Sequence, residues 1–214
     1  MMSKNRKNAH RAPDQNKKIE QSVFEIGNDA IMDAKFFKLP EAVQQQANAL
    51  YDRMDKEAKL VIPELEALKN TYPKVPTLYN YLSAAYGRSD VAQQERSIED
   101  NYRVNPNNLI ARCHFAQLCI QRKHFNQIPK IFDNKFDLKA LYPRRNRFHP
   151  SEYNSFSLVM CCYFNFSGES TLANAFYQGL KSYSPDALET QQAKQLLEPS
   201  FLGRVGKKLV NALG

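Results

Sequence analysis

The segment Tyr79-Asn80-Tyr81-Leu82-Ser83-Ala84-Ala85-Tyr86 opens a unit of sequence that closes at Pro106. Large residues stand at its first, fourth and eighth positions, and a small residue, Ser83, directly follows Leu82. This spacing places the large residues on one face of a helix. The same frame returns as Arg112-x-x-Phe115-Ala116-x-x-Cys119, in which Phe115 follows Leu82 by 33 residues. Adjoining copies at such an interval indicate a helical repeat protein.

Two more copies flank this pair. The later one reads Ser157-x-x-Met160-Cys161-x-x-Phe164, followed by Gly168, where the turn between its two helices is expected, and then by Ala173-x-x-x-Tyr177 and Pro185. Because Met160 follows Phe115 by 45 residues, we expect an insertion of about eleven residues, within residues 133–150. The earlier copy is degenerate: Val61-x-x-x-Leu65 is followed by Pro73, and its first helix is predicted from about Pro40 to Glu57.

Helix packing accounts for the pattern. Small residues at Ser83, Ala116, Cys161 and Ala173 would let antiparallel helices approach closely, while the large residues fill the layer between successive helix pairs. A proline cannot continue a helix interior, so Pro73, Pro106 and Pro185 should each follow the end of a second helix. Pro63 and Pro129 fall where second helices are expected to start, a position that tolerates proline. In the middle copy, the spacing Ile128-x-x-x-Phe132 favours a second helix beyond Pro129.

These copies resemble the tetratricopeptide repeat family, whose pattern is W-x-x-L-G-x-x-Y, then A-x-x-x-F, then P, over about 34 residues. Tyr79 stands in place of Trp and Ser83 in place of Gly. The resemblance covers about residues 40–186. A single copy could come from any helical bundle, so the adjoining copies are its main support. It implies an all-α fold: an antiparallel helix-hairpin solenoid with flanking N- and C-terminal helices.

Charge and pattern divide the chain into three parts. Residues 1–18 carry six basic residues and one acidic residue, which predicts a disordered basic tail. Residues 19–200 contain the repeats. Residues 201–214 place Phe201, Leu202 and Val205 on one helical face and basic residues on the other, which predicts a basic amphipathic helix. The net charge of +8 lies in the tails, although residues 101–148 form a basic block within a neutral middle.

The family resemblance implies a non-catalytic module that binds a peptide or a partner helix in a concave groove lined by the first helix of each repeat. The identity of that partner is open. His114 is expected to be a polar residue on a helix face, with a pH sensor or ligand as the alternative. The predicted groove residues are Asn80, Tyr81, Ala84, Arg88, Ile110, His114, Gln117, Gln121, Leu158, Val159, Cys162 and Phe166.

A second hypothesis uses the basic segments. Arg144, Arg145 and Arg147 lie in the insertion beside Tyr142 and Phe148, and such a loop could contact phosphates or stack on single-stranded RNA. The basic tails could bind RNA or an anionic membrane surface. The alternative is a solvated connector held by Phe148, and a C-terminal helix that caps the last repeat. A secretion chaperone, or an effector delivered by a specialised secretion system, would have the same sequence features.

No sequence motif of an enzyme or a cofactor site accompanies the repeats. The four cysteines, Cys113, Cys119, Cys161 and Cys162, form no C-x-x-C pair and are expected to be reduced core residues, and no metal or cofactor is expected. Residues 1–18 contain no apolar stretch suited to a signal peptide, and no apolar run reaches the roughly 20 residues of a membrane span. A cytoplasmic location is therefore predicted.

Overall fold

Helices dominate the computed structural model, which describes residues 24–30 and 32–198. Two-residue strands, β1 (Glu25–Ile26) and β2 (Arg147–Phe148), pair in parallel, and 3-10 turns cover Phe36–Lys38 and Phe125–Gln127. The helices of the described residues are α1 (Glu41–Thr71), α2 (Pro76–Tyr86), α3 (Val91–Val104), α4 (Leu109–Gln121), α5 (Ile128–Ile131), α6 (Leu138–Leu141), α7 (Pro150–Phe166), α8 (Ser170–Tyr183) and α9 (Leu188–Leu197).

Helix α1 is interrupted at Glu57, whose φ of −132° and ψ of 33° are not helical. The first half of α1 runs parallel to α2. The Tyr81 hydroxyl donates to Asn48 Oδ1 at 3.0 Å, and seven residues further along both segments the Arg88 guanidinium pairs with Asp55. The predicted first helix, from about Pro40 to Glu57, is confirmed.

The second half of α1 runs antiparallel to α2. The Tyr79 hydroxyl donates to the carbonyl of Pro73 at 2.8 Å, and the Tyr86 hydroxyl donates to Glu66 at 3.0 Å, so residue numbers rise along one segment as they fall along the other. The two halves of α1 therefore point in opposite directions, and the chain reverses at Glu57. They form the first antiparallel helix pair.

Two further antiparallel pairs follow the predicted order. Helices α2 and α3 run antiparallel, since the Ser97 hydroxyl donates to the carbonyl of Tyr79 at 3.1 Å and Asn101 Nδ2 donates to that of Pro76 at 3.4 Å. Helices α7 and α8 are joined through Gly168, whose φ of +80° turns the chain between them. The expected turn at Gly168 is thus confirmed. Small residues at the predicted close approaches are buried, as expected, namely Ser83, Ala116, Cys161 and Ala173.

Proline positions agree with the prediction except at one site. Helices α1, α3 and α8 end at Thr71, Val104 and Tyr183, each two residues before Pro73, Pro106 or Pro185. Pro129 lies in the first turn of α5, where its missing N–H is not needed. Pro63 was expected at a helix start and is instead inside α1, six residues after Glu57.

The predicted second helix of the middle repeat is wrong in its length. The pattern Ile128-x-x-x-Phe132 favoured a full helix, but α5 has only four residues. Asp133 and Asn134 adopt left-handed conformations, with φ of 53° and 56°, and a right-handed helix cannot continue through them. Phe132 still fills the core without any exposed surface, next to Leu138 and Leu141 of the short α6.

The predicted N-terminal flanking helix is also wrong over the described residues before α1. These residues, 24–30 and 32–40, are called the N-terminal segment below; they contain only β1 and a 3-10 turn. Asp33 holds the segment to α2, accepting hydrogen bonds from the backbone N–H and the hydroxyl of Thr77 at 3.0 and 2.8 Å. The predicted tail (1–18) and amphipathic helix (201–214) lie outside the described residues. Within those residues, no helix is long and apolar enough to cross a membrane.

Candidate functional site

An open cleft of about 300 Å³ lies between α2, α3 and α4. Helices α3 and α4 form an antiparallel wall, because Tyr102 stacks on Phe115 at 4.6 Å and Arg122 pairs with both Glu95 and Glu99. The cleft is lined by Asn80, Ser83 and Ala84 of α2, by Val91, Gln94, Glu95 and Ile98 of α3, and by His114, Gln117, Leu118 and Gln121 of α4.

Five of the predicted groove residues meet in this cleft. They come from two helices, Asn80 and Ala84 from α2 and His114, Gln117 and Gln121 from α4. The three on α4 recur at three- and four-residue steps, which is the spacing of one helical face. The repeat register therefore brings these side chains together, and their role as partner contacts stays a prediction.

Two predicted groove residues of α2 and its C-terminal turn contact α1 instead of the cleft. Tyr81 bonds Asn48 and packs on Tyr51 at a ring-centroid distance of 4.5 Å. Arg88 pairs with Asp55 and donates to the carbonyl of Ala84 at 2.6 Å. Both side chains are thus held by neighbouring protein groups.

The remaining predicted groove residues are mostly covered. Ile110, Leu158 and Val159 are buried, and Val159 has no exposed surface. The prediction that they line an open groove is wrong, because α7 packs against α4, α8 and α9 and has little free face. Cys162 is half-buried, and only Phe166 is well exposed, at 60%, with its ring stacked on Phe125 at 3.6 Å.

The cleft wall combines carboxamides with aliphatic groups. The side chains of Gln94, Gln117 and Gln121 make no hydrogen bond to any other group in residues 24–30 and 32–198. Each carboxamide can donate and accept. Val91, Ile98 and Leu118 supply apolar contacts between them. Such a surface suits a ligand that carries both donors and acceptors along an apolar chain.

The cleft has little net charge. Its only acidic lining residue, Glu95, shares the guanidinium of Arg122 with Glu99, at an Nη2–Oε2 distance of 2.5 Å from Glu95, so a net negative charge remains beside the cleft. Burial lowers the pKa of His114 to about 4, because desolvation disfavours the imidazolium. His114 is therefore neutral at pH 7. No lysine or arginine lines this cleft, so it offers no cation to a phosphate or a carboxylate.

A line of hydrogen bonds connects the cleft to the N-terminal segment. The Lys35 ammonium donates to Asn105 Oδ1 at 2.9 Å, and Asn105 Nδ2 donates to Asn101 Oδ1 at 3.1 Å. Asn101 Nδ2 then donates to Asn80 Oδ1 at 3.0 Å. We call Asn80, Asn101 and Asn105 the asparagine network. It ends at the cleft wall.

The basic loop predicted to contact phosphates is largely neutralised. Arg145 forms an ion pair with Glu152, at 2.6 Å, and Arg147 pairs with Glu25 at 2.8 Å and Asp29 at 2.5 Å. Among the described residues, only Arg144 of the three arginines lacks an ion pair, and it is exposed. Phe148 is fully buried, as expected for a connector that is held by this ring.

Several structurally important polar residues were not predicted from the sequence. Glu152 is the acidic residue of a capping box at the start of α7, where its carboxylate accepts from the backbone N–H of His149 at 3.1 Å. The usual signal for this motif is Ser or Thr at the first position, and His149 occupies it here. Lys35 and Asn105 are 70 residues apart, and no local pattern indicates such a contact.

The described residues contain no group of three or more His, Cys, Asp or Glu side chains that could hold a metal ion. Cys113, Cys119 and Cys161 are buried free thiols, and Cys162 is partly buried. Burial raises the pKa of Cys161 to about 12 and that of Cys162 to about 11. Thiols with such pKa values are poor nucleophiles near neutral pH.

Comparison with known proteins gives no further assignment. No protein-family model, no curated protein sequence and no solved structure matches this chain.

Proposed function

We propose that this chain is a non-catalytic interaction module that binds a segment of another polypeptide in the cleft between α2, α3 and α4. The antiparallel pairs in α1, α2–α3 and α7–α8 are what a solenoid of the tetratricopeptide type would contain, and this is the architecture we propose. In such proteins the first helices of neighbouring pairs line the binding surface.

One observation carries this proposal: five side chains, chosen from the repeat register alone, line one open cleft. The lining chemistry also favours a polypeptide. Main-chain N–H donors and C=O acceptors alternate along a peptide, and an unpaired carboxamide can accept from the first and donate to the second. Aliphatic residues beside them provide contact for apolar side chains.

The basic loop supports binding of phosphates or RNA less well than the cleft supports binding of a polypeptide. Arg145 and Arg147 already have carboxylate partners, and binding to phosphate would require these ion pairs to break. Glu95 at the cleft further disfavours an anionic ligand. A polypeptide partner therefore remains the best-supported proposal.

The test is selection of random peptides of about twelve residues against the full-length chain, a length ample to cross the cleft in extended form. Affinities of selected peptides are then measured for wild type and for the double variant Gln117→Arg/Gln121→Arg. This variant places two longer, charged side chains on the α4 side of the cleft. Gln192→Arg/Gln195→Arg on α9 is the matched control, since both residues are exposed and away from the cleft.

We expect the cleft variant to lose at least about tenfold in affinity, equivalent to about 1.4 kcal/mol. The α9 control should bind like wild type, and thermal unfolding should show that both variants fold. Failure to select any peptide, or equal affinities for cleft and control variants, would overturn the proposed function.

A further inference from the structure

The asparagine network assigns a fixed hydrogen-bonding direction to one residue of the cleft. We infer that Asn80 donates its Nδ2 hydrogen to a main-chain carbonyl of the bound polypeptide, and that Lys35 is the positioning residue that sets this orientation. The inference rests on the proposed function, and it names the chemical group of the bound polypeptide that Asn80 recognises.

The direction of the network follows from its first member. An ammonium group has donors and no acceptor, so the Asn105 atom 2.9 Å from Lys35 Nζ must be the oxygen. The Asn105 nitrogen then faces Asn101, whose oxygen accepts from it. The Asn101 nitrogen in turn faces Asn80, whose oxygen accepts. Each amide orientation is thereby determined by the one before it.

Burial keeps the network from reversing. Asn101 is 2% and Asn105 is 4% exposed, so neither amide has ready access to bulk water. Asn101 Nδ2 also lies 3.4 Å from the carbonyl of Pro76, which agrees with a nitrogen at this position. If Asn105 turned over, its nitrogen would face the ammonium of Lys35 and leave buried polar groups unpaired.

Asn80 therefore presents a donor to the cleft. Its Oδ1 is taken by Asn101, and its Nδ2 makes no hydrogen bond within residues 24–30 and 32–198. A free carboxamide such as Gln117 can present either end. Asn80 cannot, so the ligand atom opposite it must be an acceptor.

The lining identifies the class of acceptor. A phosphate or carboxylate would meet Glu95 and no lining cation. A saccharide or nucleobase would find no Phe, Tyr or Trp ring to stack on, because the lining contains none of these residues. A neutral carbonyl of a peptide backbone needs neither a cation nor a stacking ring from the cleft.

The cleft size sets the length of the segment. From His114 to Gln121, α4 rises about 10 Å. An extended chain advances about 3.3 Å per residue, so about three residues cross the wall. These residues carry no charge and belong to an internal part of the partner chain, because the cleft lining offers no cation to a terminal carboxylate.

Asn80→Asp tests the donor, because an aspartate oxygen still accepts from Asn101 while the group facing the cleft becomes an acceptor. With the selected peptides as probes, we expect Asn80→Asp to weaken binding at least about tenfold, since an acceptor would face a carbonyl. Wild-type affinity for this variant would overturn the inference.

Peptides with single ester bonds in place of amides locate the carbonyl, since an ester carbonyl is a weaker acceptor. One ester position should weaken binding to wild type and leave binding to Asn80→Asp unchanged. Uniform sensitivity of both proteins at every position would contradict a specific Asn80 contact.

Lys35→Met tests the positioning role, and Lys35→Arg is its conservative control because arginine is also a donor without an acceptor. Lys35→Met should weaken peptide binding about threefold by freeing the orientation of the network, and Lys35→Arg should restore it. In NMR spectra of the free protein, the Asn80 side-chain NH₂ should shift in Lys35→Met and return in Lys35→Arg. Identical binding and identical NH₂ signals in all three proteins would remove Lys35 from the inference.

The two proposals fail in different ways. If no peptide depends on Gln117 and Gln121, the proposed function is lost and this inference with it. If peptides require the Gln117 and Gln121 wall but tolerate Asn80→Asp, only the assignment of Asn80 is wrong. If the selected peptides carry charged residues at the contact positions, only the claim that the bound residues are uncharged is wrong.

Discussion

Arg145 and Glu152 form a two-point ion pair whose carboxylate has no exposed surface. Their nitrogen–oxygen distances are 2.9 and 2.6 Å, and the guanidinium carbon lies 4.3 Å from the centre of the Phe148 ring. The pair joins the insertion to the first turn of α7. Arg145 and Phe148 thus attach the insertion to the core, in addition to connecting two helices.

Removing the arginine should leave a buried charge without a partner. We predict that Arg145→Met lowers the free energy of unfolding by about 3–5 kcal/mol, as for other broken buried pairs. Urea denaturation provides the measurement. Arg144→Met is the control, because Arg144 is exposed and has no ion pair among the described residues. Equal stabilities of the two variants would contradict this role of Arg145.

The neighbouring arginine should matter much less. Arg147 bonds Glu25 and Asp29, but its side chain is 50% exposed and theirs are 71% exposed. We predict that Arg147→Met costs less than about 1 kcal/mol, because water and salt screen the pairs. The cost should shrink further in 1 M salt. A large cost that does not depend on salt would show that the alkyl part of Arg147 is the stabilising part.

Gly168 should tolerate asparagine better than alanine. Its φ of +80° is unfavourable for alanine, while a Cβ at this position would meet no atom within 4 Å. The cost of Gly168→Ala should therefore be conformational, about 1 kcal/mol, and Gly168→Asn should cost less because asparagine adopts left-handed conformations more readily. Thermal unfolding of both variants would decide this, and equal losses would point to a steric cause.

Stability should depend on pH through His114. Its pKa is about 4 in the folded protein, below its ordinary value of 6.5, so between these values the unfolded chain binds a proton that the folded chain does not. Folding stability should therefore fall as pH drops from 6.5 to 4, by up to about 3 kcal/mol. His114→Gln should show a smaller fall over that range. Parallel stability profiles for the two proteins would contradict the neutral, partly buried state of His114.

The repeat frame predicted the features that depend on local spacing. Gly168, Pro73, Pro106 and Pro185 marked helix ends correctly, and the register placed Asn80, His114 and Gln117 on one surface. Val159 satisfied the same register and is buried, because α8 and α9 cover the faces of α7. Which face of a helix stays exposed depends on the helices that pack against it, and the repeat spacing does not predict that packing.

Long-range polar contacts were beyond prediction for the same reason. Lys35 meets Asn105 across 70 residues, and Asn101 looks like an ordinary polar residue near a helix end until its two partners are known. The short α5 shows a different failure. Its apolar spacing favours a longer helix, but the left-handed Asp133 and Asn134 override that preference.

The parallel pairing of β1 with β2 affects the order of events during synthesis. Glu25 bonds Arg147, which is 122 residues later in the chain. At a translation rate of about 5–20 residues per second, residues 24–26 wait roughly 6–24 s for their partners to be made. The helix pairs can close in sequence behind them. The first part of the described chain to leave the ribosome is therefore among the last to reach its native contacts.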